Sequence, residues 1–123
     1  MKPEEIKFLY NLMNNKKVRT YFANPNTFSY KEHLRFIKNF KGIFKIMKYK
    51  GKKVGAIRLR FFDNEITTAI LPEFHGKGIG SKELKEFCKK RNNLKAEINP
   101  KNKASIKIYE KAGFKIKHLV MEK

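Results

Sequence analysis

Between Leu71 and Phe87 the chain reads LPEFHGKGIGSKELKEF. His75-Gly76-Lys77-Gly78-Ile79-Gly80 places three glycines within five residues, after a strand-like run from Glu65 to Leu71 and ahead of a helix-like run. Glycine reaches positive φ at little cost and has no Cβ, so such a loop can turn several backbone N–H groups into one concavity. A helix opening behind it adds the positive end of its dipole. That arrangement suits a pyrophosphate; a tight strand-to-helix turn that binds nothing would use the same residues. Spacing removes two other nucleotide loops. A P-loop closes on Gly-Lys-Ser/Thr, whereas Lys77 sits between glycines with no hydroxyl directly after it. A dinucleotide fingerprint belongs to the first strand–helix turn, with an acidic residue at a strand end about 20 residues on. Here the loop lies past mid-chain, and Glu97, at roughly that distance, leads into Asn99-Pro100. His33, His75 and His118 show no metal-ligand spacing and none pairs with Cys88, so no metal is expected.

Residues 97–114, EINPKNKASIKIYEKAGF, form the second stretch with chemistry in it. Taken with the glycine loop, it resembles the GNAT superfamily of acyl-CoA-dependent N-acyltransferases. That family's Arg/Gln-x-x-Gly-x-Gly/Ala pattern is matched at Gly78 and Gly80, with His75 where Arg or Gln is usual. Its Asn-x-x-Ser-x-x-x-Tyr-x-x-x-Gly-Phe pattern is matched by Asn102, Ser105, Tyr109, Gly113 and Phe114. The resemblance covers residues 30–115 well. It implies an acetyl-CoA-dependent N-acetyltransferase working by direct transfer, with CoA held by His75, Gly76, Lys77, Gly78, Ile79, Gly80 and Ser81. Asn102, Ser105 and Tyr109 would form the other wall. It further implies backbone N–H groups near Ile70 and Leu71 for the oxyanion, and Tyr109 as the acid that protonates the leaving thiolate. A phenol can do this without first being charged, because its ordinary pKa is comparable to a thiol's basicity. Glu65, at the start of the strand leading to the loop, is the carboxylate expected to serve as base, directly or through water; His33 and His75 are weaker candidates. An exposed strand-end Glu and a core Tyr on the stripe Ser105, Ile108, Tyr109, Ala112 are the plainer readings of the same residues.

The acceptor is read from charge and from residues 14–40. The chain carries 30 Lys+Arg against 11 Asp+Glu, a net charge of +19. Such a field draws anions, and leaves few carboxylates to build a cleft for a polyamine or an aminoglycoside; a Lys-rich solvated surface would show the same count. Asn15, Val18 and Arg19, then Ser29, Glu32 and His33, resemble the part of the family that acetylates nucleotide-linked amino sugars, although Phe36 stands where Trp is usual. Arg19, Tyr21, Phe28 and His33 are therefore the expected acceptor-binding residues, with Lys16 and Lys17 facing the second anion. A protein or peptide amine is the alternative acceptor. A CoA-binding or basic nucleic-acid-binding module without turnover is the alternative from another class. No basic helix with interleaved aromatics points to nucleic acid.

The elements that must position these residues read as follows. Residues 3–15 repeat Ile6, Leu9, Tyr10 and Met13 at helical spacing, and Asn24-Pro25-Asn26 breaks the chain. Ser29-x-x-Glu32 is a capping box for a second helix with Leu34, Ile37 and Phe40 inward, stopped at Gly42. Residues 43–49 and 54–62 form a hairpin about Lys50-Gly51, in which Ile57, Leu59 and Phe61 face the core and Arg58 and Arg60 face water. Asp63-Asn64 turns into the strand 65–71. After the loop come a helix to about Arg91, a short strand at Leu94, Ala96 and Ile98, and a helix from near Lys103 to Ala112 closed by Gly113. A final strand alternates Phe114, Ile116, His118 and Val120. The order ααβββαβαβ agrees with an α/β (α+β) fold like that of GNAT enzymes: a mixed, mostly antiparallel central sheet flanked by about four helices. Against that family's plan, the first strand and the final hairpin are read as trimmed at both termini. An exposed edge left this way is a pairing surface. Residues 114–121 are therefore expected to pair with 94–98, in the same chain or in a homodimer.

With 123 residues, 41% hydrophobic, the chain is read as one domain, 1–123, able to bury about 60–70% of its unfolded surface. Apolar runs are too short to span a bilayer, and residues 1–5 do not read as a signal peptide. The single Cys88, beside Leu84 and Phe87 on a helix face, reads as packing and fits a reducing cytoplasm.

Overall fold

The computed structural model describes residues 1–22, 24 and 26–123; the expected break at Asn24-Pro25-Asn26 centres on Pro25, which lies outside the described residues. Three antiparallel strands form the sheet in the order β1-β2-β3: β1 Gly42–Tyr49, β2 Lys52–Arg60 and β3 Glu65–Ile70. Lys50 and Gly51 join the first two with φ of 51° and 81°, the paired positive values of a type I′ turn, whose twist matches that of the strands. Opposite Met47 and Lys48 the register slips, and Val54 is the extra residue of a bulge. That bulge turns Val54 into the core, where it is fully buried beside Ile57.

Helices cover both faces. α1 (Pro3–Met13) and α2 (Tyr30–Asn39) lie on one, where Leu9, Leu12 and Ile37 pack against Phe44, Ile46, Ala56 and Ala69. α3 (Ile79–Cys88) and α4 (Lys103–Lys111) lie on the other, where Ile79, Leu84, Phe87 and Tyr109 pack against Met47, Ile57, Leu59 and Ile66. Each fully buried Leu or Ile contributes about 1.5–3 kcal/mol relative to exposure. The middle strand is consequently buried on both sides, which changes two expectations. Arg58 does not face water: it is half-buried beneath α2, its guanidinium 5.6 Å from the Phe36 ring centre and 5.5 Å from that of Phe40. Phe61 does not face the core, because β2 ends at Arg60 and the turn leaves Phe61 55% exposed.

The capping box of α2 forms as expected: Glu32 N–H donates to Ser29 Oγ at 3.1 Å, and Ser29 N–H donates to Glu32 Oε1 at 3.0 Å. The inward stripe is His33, Ile37 and Phe40, one residue out of phase with the expected Leu34, which is exposed. α1 ends at Met13, two residues early, because the Asn15 side chain accepts from the N–H groups of Lys17 and Val18 and starts a new turn, Val18–Tyr21.

Past α3 the expected strand at 94–98 is reduced to one parallel bridge, Glu65 with Lys95. Leu94, Ala96 and Ile98 still alternate as half-buried residues with exposed Lys95 and Glu97. α3 itself ends at Cys88 rather than near Arg91, where the Arg91 guanidinium donates to the Phe87 carbonyl at 2.6 Å. α4 begins at its Asn102 cap, whose side chain accepts from Ser105 N–H at 3.2 Å, and closes through Gly113 at φ 99°. Phe114 returns to the core, ring centre 5.0 Å from that of Tyr109. The final strand does not form: residues 114–123 carry no regular structure and no pairing with 94–98 among the described residues.

Candidate active site

The glycine loop joins β3 to α3 through a short turn at Pro72–Phe74. Gly76 and Gly78 both take φ of 77°, and a Cβ at either would meet nothing within 4 Å, so the surface in front of them is open. Gly80 has a different task. A Cβ there would come within 2.6 Å of Ile70 Cδ1 and 3.1 Å of Ile108 Cδ1, so it lets α3 approach β3 and α4. From Gly76 to Ser81, the backbone N–H groups donate to no acceptor among the described residues. Gly76, Lys77 and Gly78 are exposed while Ile79 and Gly80 are buried, so solvent or a bound anion supplies the acceptors for these donors. An anion of pyrophosphate size fits this cradle, and exposed Lys77 stands in it. The His75 side chain is turned away from the cradle; its ring nitrogen Nε2 donates to the Ile70 carbonyl at 2.9 Å.

Behind the loop, β3 and residues 94–98 form a wedge. At its closed end Ile66 N–H donates to Lys95 O at 2.8 Å and Lys95 N–H to Asn64 O at 3.1 Å; beyond that the two backbones share no bond among the described residues. Consecutive N–H groups of a strand point to opposite sides. Leu71 N–H is bonded to Val54 O at 2.9 Å, toward β2, so it is not free for an oxyanion. Ile70 N–H points to the same open side as Ile66 and donates to no acceptor among the described residues.

Tyr109 lies inside the wedge. Its residue is 3% exposed, and its hydroxyl stands 3.5 Å from the Ile66 carbonyl. Burial pushes the phenol up to about 12; a hydrogen bond with Thr68 opposes the shift, and the charges of Cys88 and Glu65 add to it. The group therefore stays protonated through neutral pH and is a proton donor only. Cys88 is half-buried on the same core with its thiol pushed up by burial, in keeping with a packing role.

Glu65 sits at the closed end, about 17 Å along the strand from Ile70 by strand rise. Its carboxylate is 3.3 Å from Arg60 Nη2, which also meets Asp63 at 2.7 Å; Lys95 Nζ lies 3.6 Å from Asp63. The Arg60 hydrogen bond holds the Asp63 carboxyl well below the usual range. Glu65 is thus engaged with a guanidinium rather than standing free beside an acceptor.

The expected acceptor residues divide. Arg19 is buried: it donates to Met13 O at 2.8 Å and to Asn24 O, and its guanidinium lies 5.1 Å from the ring centre of Phe22 and 5.6 Å from that of Phe28. Phe28 is held by Asn14 through both backbone groups and stacks on His33 at 5.8 Å. His33 is buried and its Nε2 donates to Ile6 O at 2.8 Å, with burial lowering its pKa. These three fasten the turn after α1 to α2; their side chains do not line a cleft. Tyr21 is exposed. The open cavity on this side, about 510 Å³, is lined by Asn15, Lys16, Lys17, Pro72 and Glu73, next to the glycine loop. Glu73 and the turn-forming role of Asn15 were missed from sequence, although Asn two and three residues before the N–H groups it caps is a readable signal. Among the described residues no group of His, Cys, Asp and Glu could hold a metal, and no helix is long and apolar enough to cross a membrane.

The family model for acetyltransferases of the GNAT type matches residues 7–114. The chain belongs to the GNAT acetyltransferase family. It is therefore an acetyl-CoA-dependent N-acetyltransferase. No curated protein matches the sequence. The fold is shared with an aminoglycoside acetyltransferase, AAC(6')-Ib, solved with coenzyme A: TM-score 0.75, 17% identity, 98% of this chain and 84% of that one. It is shared with YncA of Salmonella typhimurium, solved with acetyl-CoA: TM-score 0.74, 20% identity, 93% of this chain and 76% of that one. It is also shared with a ribosomal-protein-alanine N-acetyltransferase of Brucella melitensis: TM-score 0.72, 22% identity, 94% of this chain and 82% of that one. At these identities the likeness concerns the GNAT fold, not the acceptor.

Proposed function

We propose that residues 1–123 act as one domain, in the cytoplasm, and move the acetyl group directly to a primary amine, with Tyr109 protonating the departing thiolate. One observation carries this: a neutral, buried phenol stands inside the wedge whose open edge leads to the phosphate cradle. Acetyl-CoA supplies the thioester; the chain supplies the rest. The N–H groups from Gly76 to Ser81 hold the pyrophosphate, assisted by Lys77, and Asn102 and Ser105 border the cofactor from α4. Ile70 N–H is the donor for the developing oxyanion. It lies about 13 Å along the strand from Ile66, where the Tyr109 hydroxyl rests. The ring therefore has to move toward the mouth of the wedge for both to meet one thioester. Glu65 takes the amine's proton through a chain of waters, since its carboxylate is paired with Arg60 about 17 Å along the strand from Ile70. Tyr109→Phe keeps the ring packing and removes the proton. We expect kcat to fall about 10²-fold or more with CoA affinity by calorimetry unchanged. Equal kcat in the two proteins would return Tyr109 to a packing role.

For the acceptor we infer an amine on an anionic carrier, with a nucleotide-linked amino sugar as the leading candidate. Lys16 and Lys17 line the cavity beside the loop, and Glu73 gives that cavity a carboxylate for the ammonium. Tyr21 is the exposed ring available for a base or sugar. The measurement is a panel of a nucleotide-linked amino sugar, a basic peptide, a polyamine and an aminoglycoside at low and high salt. Preference for the sugar, weakened by salt, supports the reading, since salt screens exposed charges. Preference for the peptide transfers the proposal to a protein or peptide amine. Preference for polyamine or aminoglycoside ends it.

A further inference from the structure

The β3 side chains that face the α3–α4 core are Ile66, Thr68 and Ile70. Thr68 is half-buried and stands opposite Ile57 of β2, which is fully buried in that core. Thr67 turns to the other face, where its hydroxyl accepts from Arg58 Nη2 at 3.5 Å. A threonine between two isoleucines on a packed face puts a hydroxyl where a methyl would pack as well, and such a group needs a hydrogen-bond partner. The partner at hand is Tyr109, whose hydroxyl bonds to the Thr68 side chain. The other contact of that hydroxyl, to the Ile66 carbonyl, is 3.5 Å, long against the usual O–H···O distance of about 2.7–2.8 Å. The phenol is thus held loosely at Ile66, and Thr68 lies about 7 Å nearer the mouth of the wedge.

We propose that Thr68 is a positioning residue for the acid step: its hydroxyl donates to the Tyr109 oxygen, draws the phenol toward the mouth and leaves the phenol's own proton for the thioester sulfur. When the tetrahedral intermediate collapses, the C–S bond breaks and its electron pair leaves on sulfur. Tyr109 gives its proton to that sulfur, and CoA departs as the thiol. The negative charge left on the phenol oxygen is met by the Thr68 O–H. The proton lost by the amine, taken up through water at Glu65, then returns the phenol to its neutral form. A hydrogen bond donated to the charged form favours that form. Burial has made this phenol a weak acid, and the bond from Thr68 works against that effect. The inference rests on reading Tyr109 as the acid, and the measurements separate the failure of one from the failure of the other.

The first measurement needs no acceptor. The full chain is labelled with carbon-13 at tyrosine Cζ, and Tyr109→Phe assigns the Tyr109 resonance among the five tyrosines. Thr68→Val keeps the branched shape and removes the hydroxyl; Thr68→Ser keeps the hydroxyl and removes the methyl. Thr68→Ala removes the hydroxyl without bulk and replaces Thr68→Val if that variant does not fold. The Tyr109 signal should shift in Thr68→Val and return toward its original position in Thr68→Ser. A signal that stays in place, or a shift that Ser fails to reverse, overturns the proposal. The second measurement is steady-state kinetics with acetyl-CoA and the member of the acceptor panel that turns over fastest. In Thr68→Val, kcat should fall about 10-fold, the scale of one lost hydrogen bond. KM for acetyl-CoA should be unchanged, and Thr68→Ser should recover the rate. Added to Tyr109→Phe, Thr68→Val should cost nothing further, because the two side chains act as a unit. A Thr68→Val protein as fast as wild type, beside a slowed Tyr109→Phe, overturns this inference alone. A fully active Tyr109→Phe overturns the reading of Tyr109 as the acid, and the role of Thr68 with it.

Discussion

His33 shows how a residue can match a functional pattern and serve a structural end. It follows the capping pair Ser29 and Glu32, and an acceptor role was expected of it. Its ring instead lies among Tyr10, Phe28 and Tyr30, with Nε2 on the Ile6 carbonyl and no partner for Nδ1 among the described residues. Burial depresses its pKa below 6.5. The folded state therefore binds fewer protons than the unfolded one as acid is added. The stability this neutral ring contributes is present above about 6.5 and lost as pH falls through the lower folded value. We expect denaturant midpoints to drop between neutral pH and pH about 5, and the drop to shrink in His33→Phe. An unchanged slope in that variant would assign the acid sensitivity elsewhere. Arg19 belongs to the same group: its guanidinium is spent on two backbone carbonyls and two rings. Side-chain type and spacing announced both residues, but whether they face a cleft depends on which way the turn at Val18–Tyr21 rolls, and Asn15 decides that.

Among the elements, those specified by local chemistry were readable in advance. The capping box, the Lys50-Gly51 turn, the Gly113 closure and the glycine loop each depend on neighbours within a few residues. The phase of α2 and the fate of Arg58 were not readable, because both depend on a helix arriving from elsewhere to cover the second face of β2. For 94–98 the alternation was legible, yet a pattern of period two says nothing about how many ladder bonds a partner offers. The loop also separates binding from folding in a way that can be measured. Lys77 is exposed, so Lys77→Glu should leave the melting temperature nearly unchanged and weaken CoA about 10-fold, the scale of reversing one exposed charge. Gly80→Ala should behave oppositely: its Cβ crowds Ile70 and Ile108, costing about 1–3 kcal/mol of stability. Similar CoA affinity for Lys77→Glu and wild type, by calorimetry, would remove Lys77 from the cradle.

At the scale of the whole molecule, the wall formed by 94–98 is tied to the rest of the sheet at a single rung. A board nailed at one end pivots about the nail, and its free end samples many positions for little energy. The donor, by filling the wedge, would remove that freedom, so part of the binding energy goes into stilling the wall rather than into holding the ligand. The expected trace is in amide hydrogen exchange. Leu94, Ala96, Glu97 and Ile98 should exchange quickly in the free protein and slow markedly with CoA bound, while Ile57 and Leu59 in the middle strand change little. Equal protection of the wall with and without CoA would mean that it is already rigid. In that case the gap beside β3 is a fixed slot, and the donor enters without the chain having to close around it.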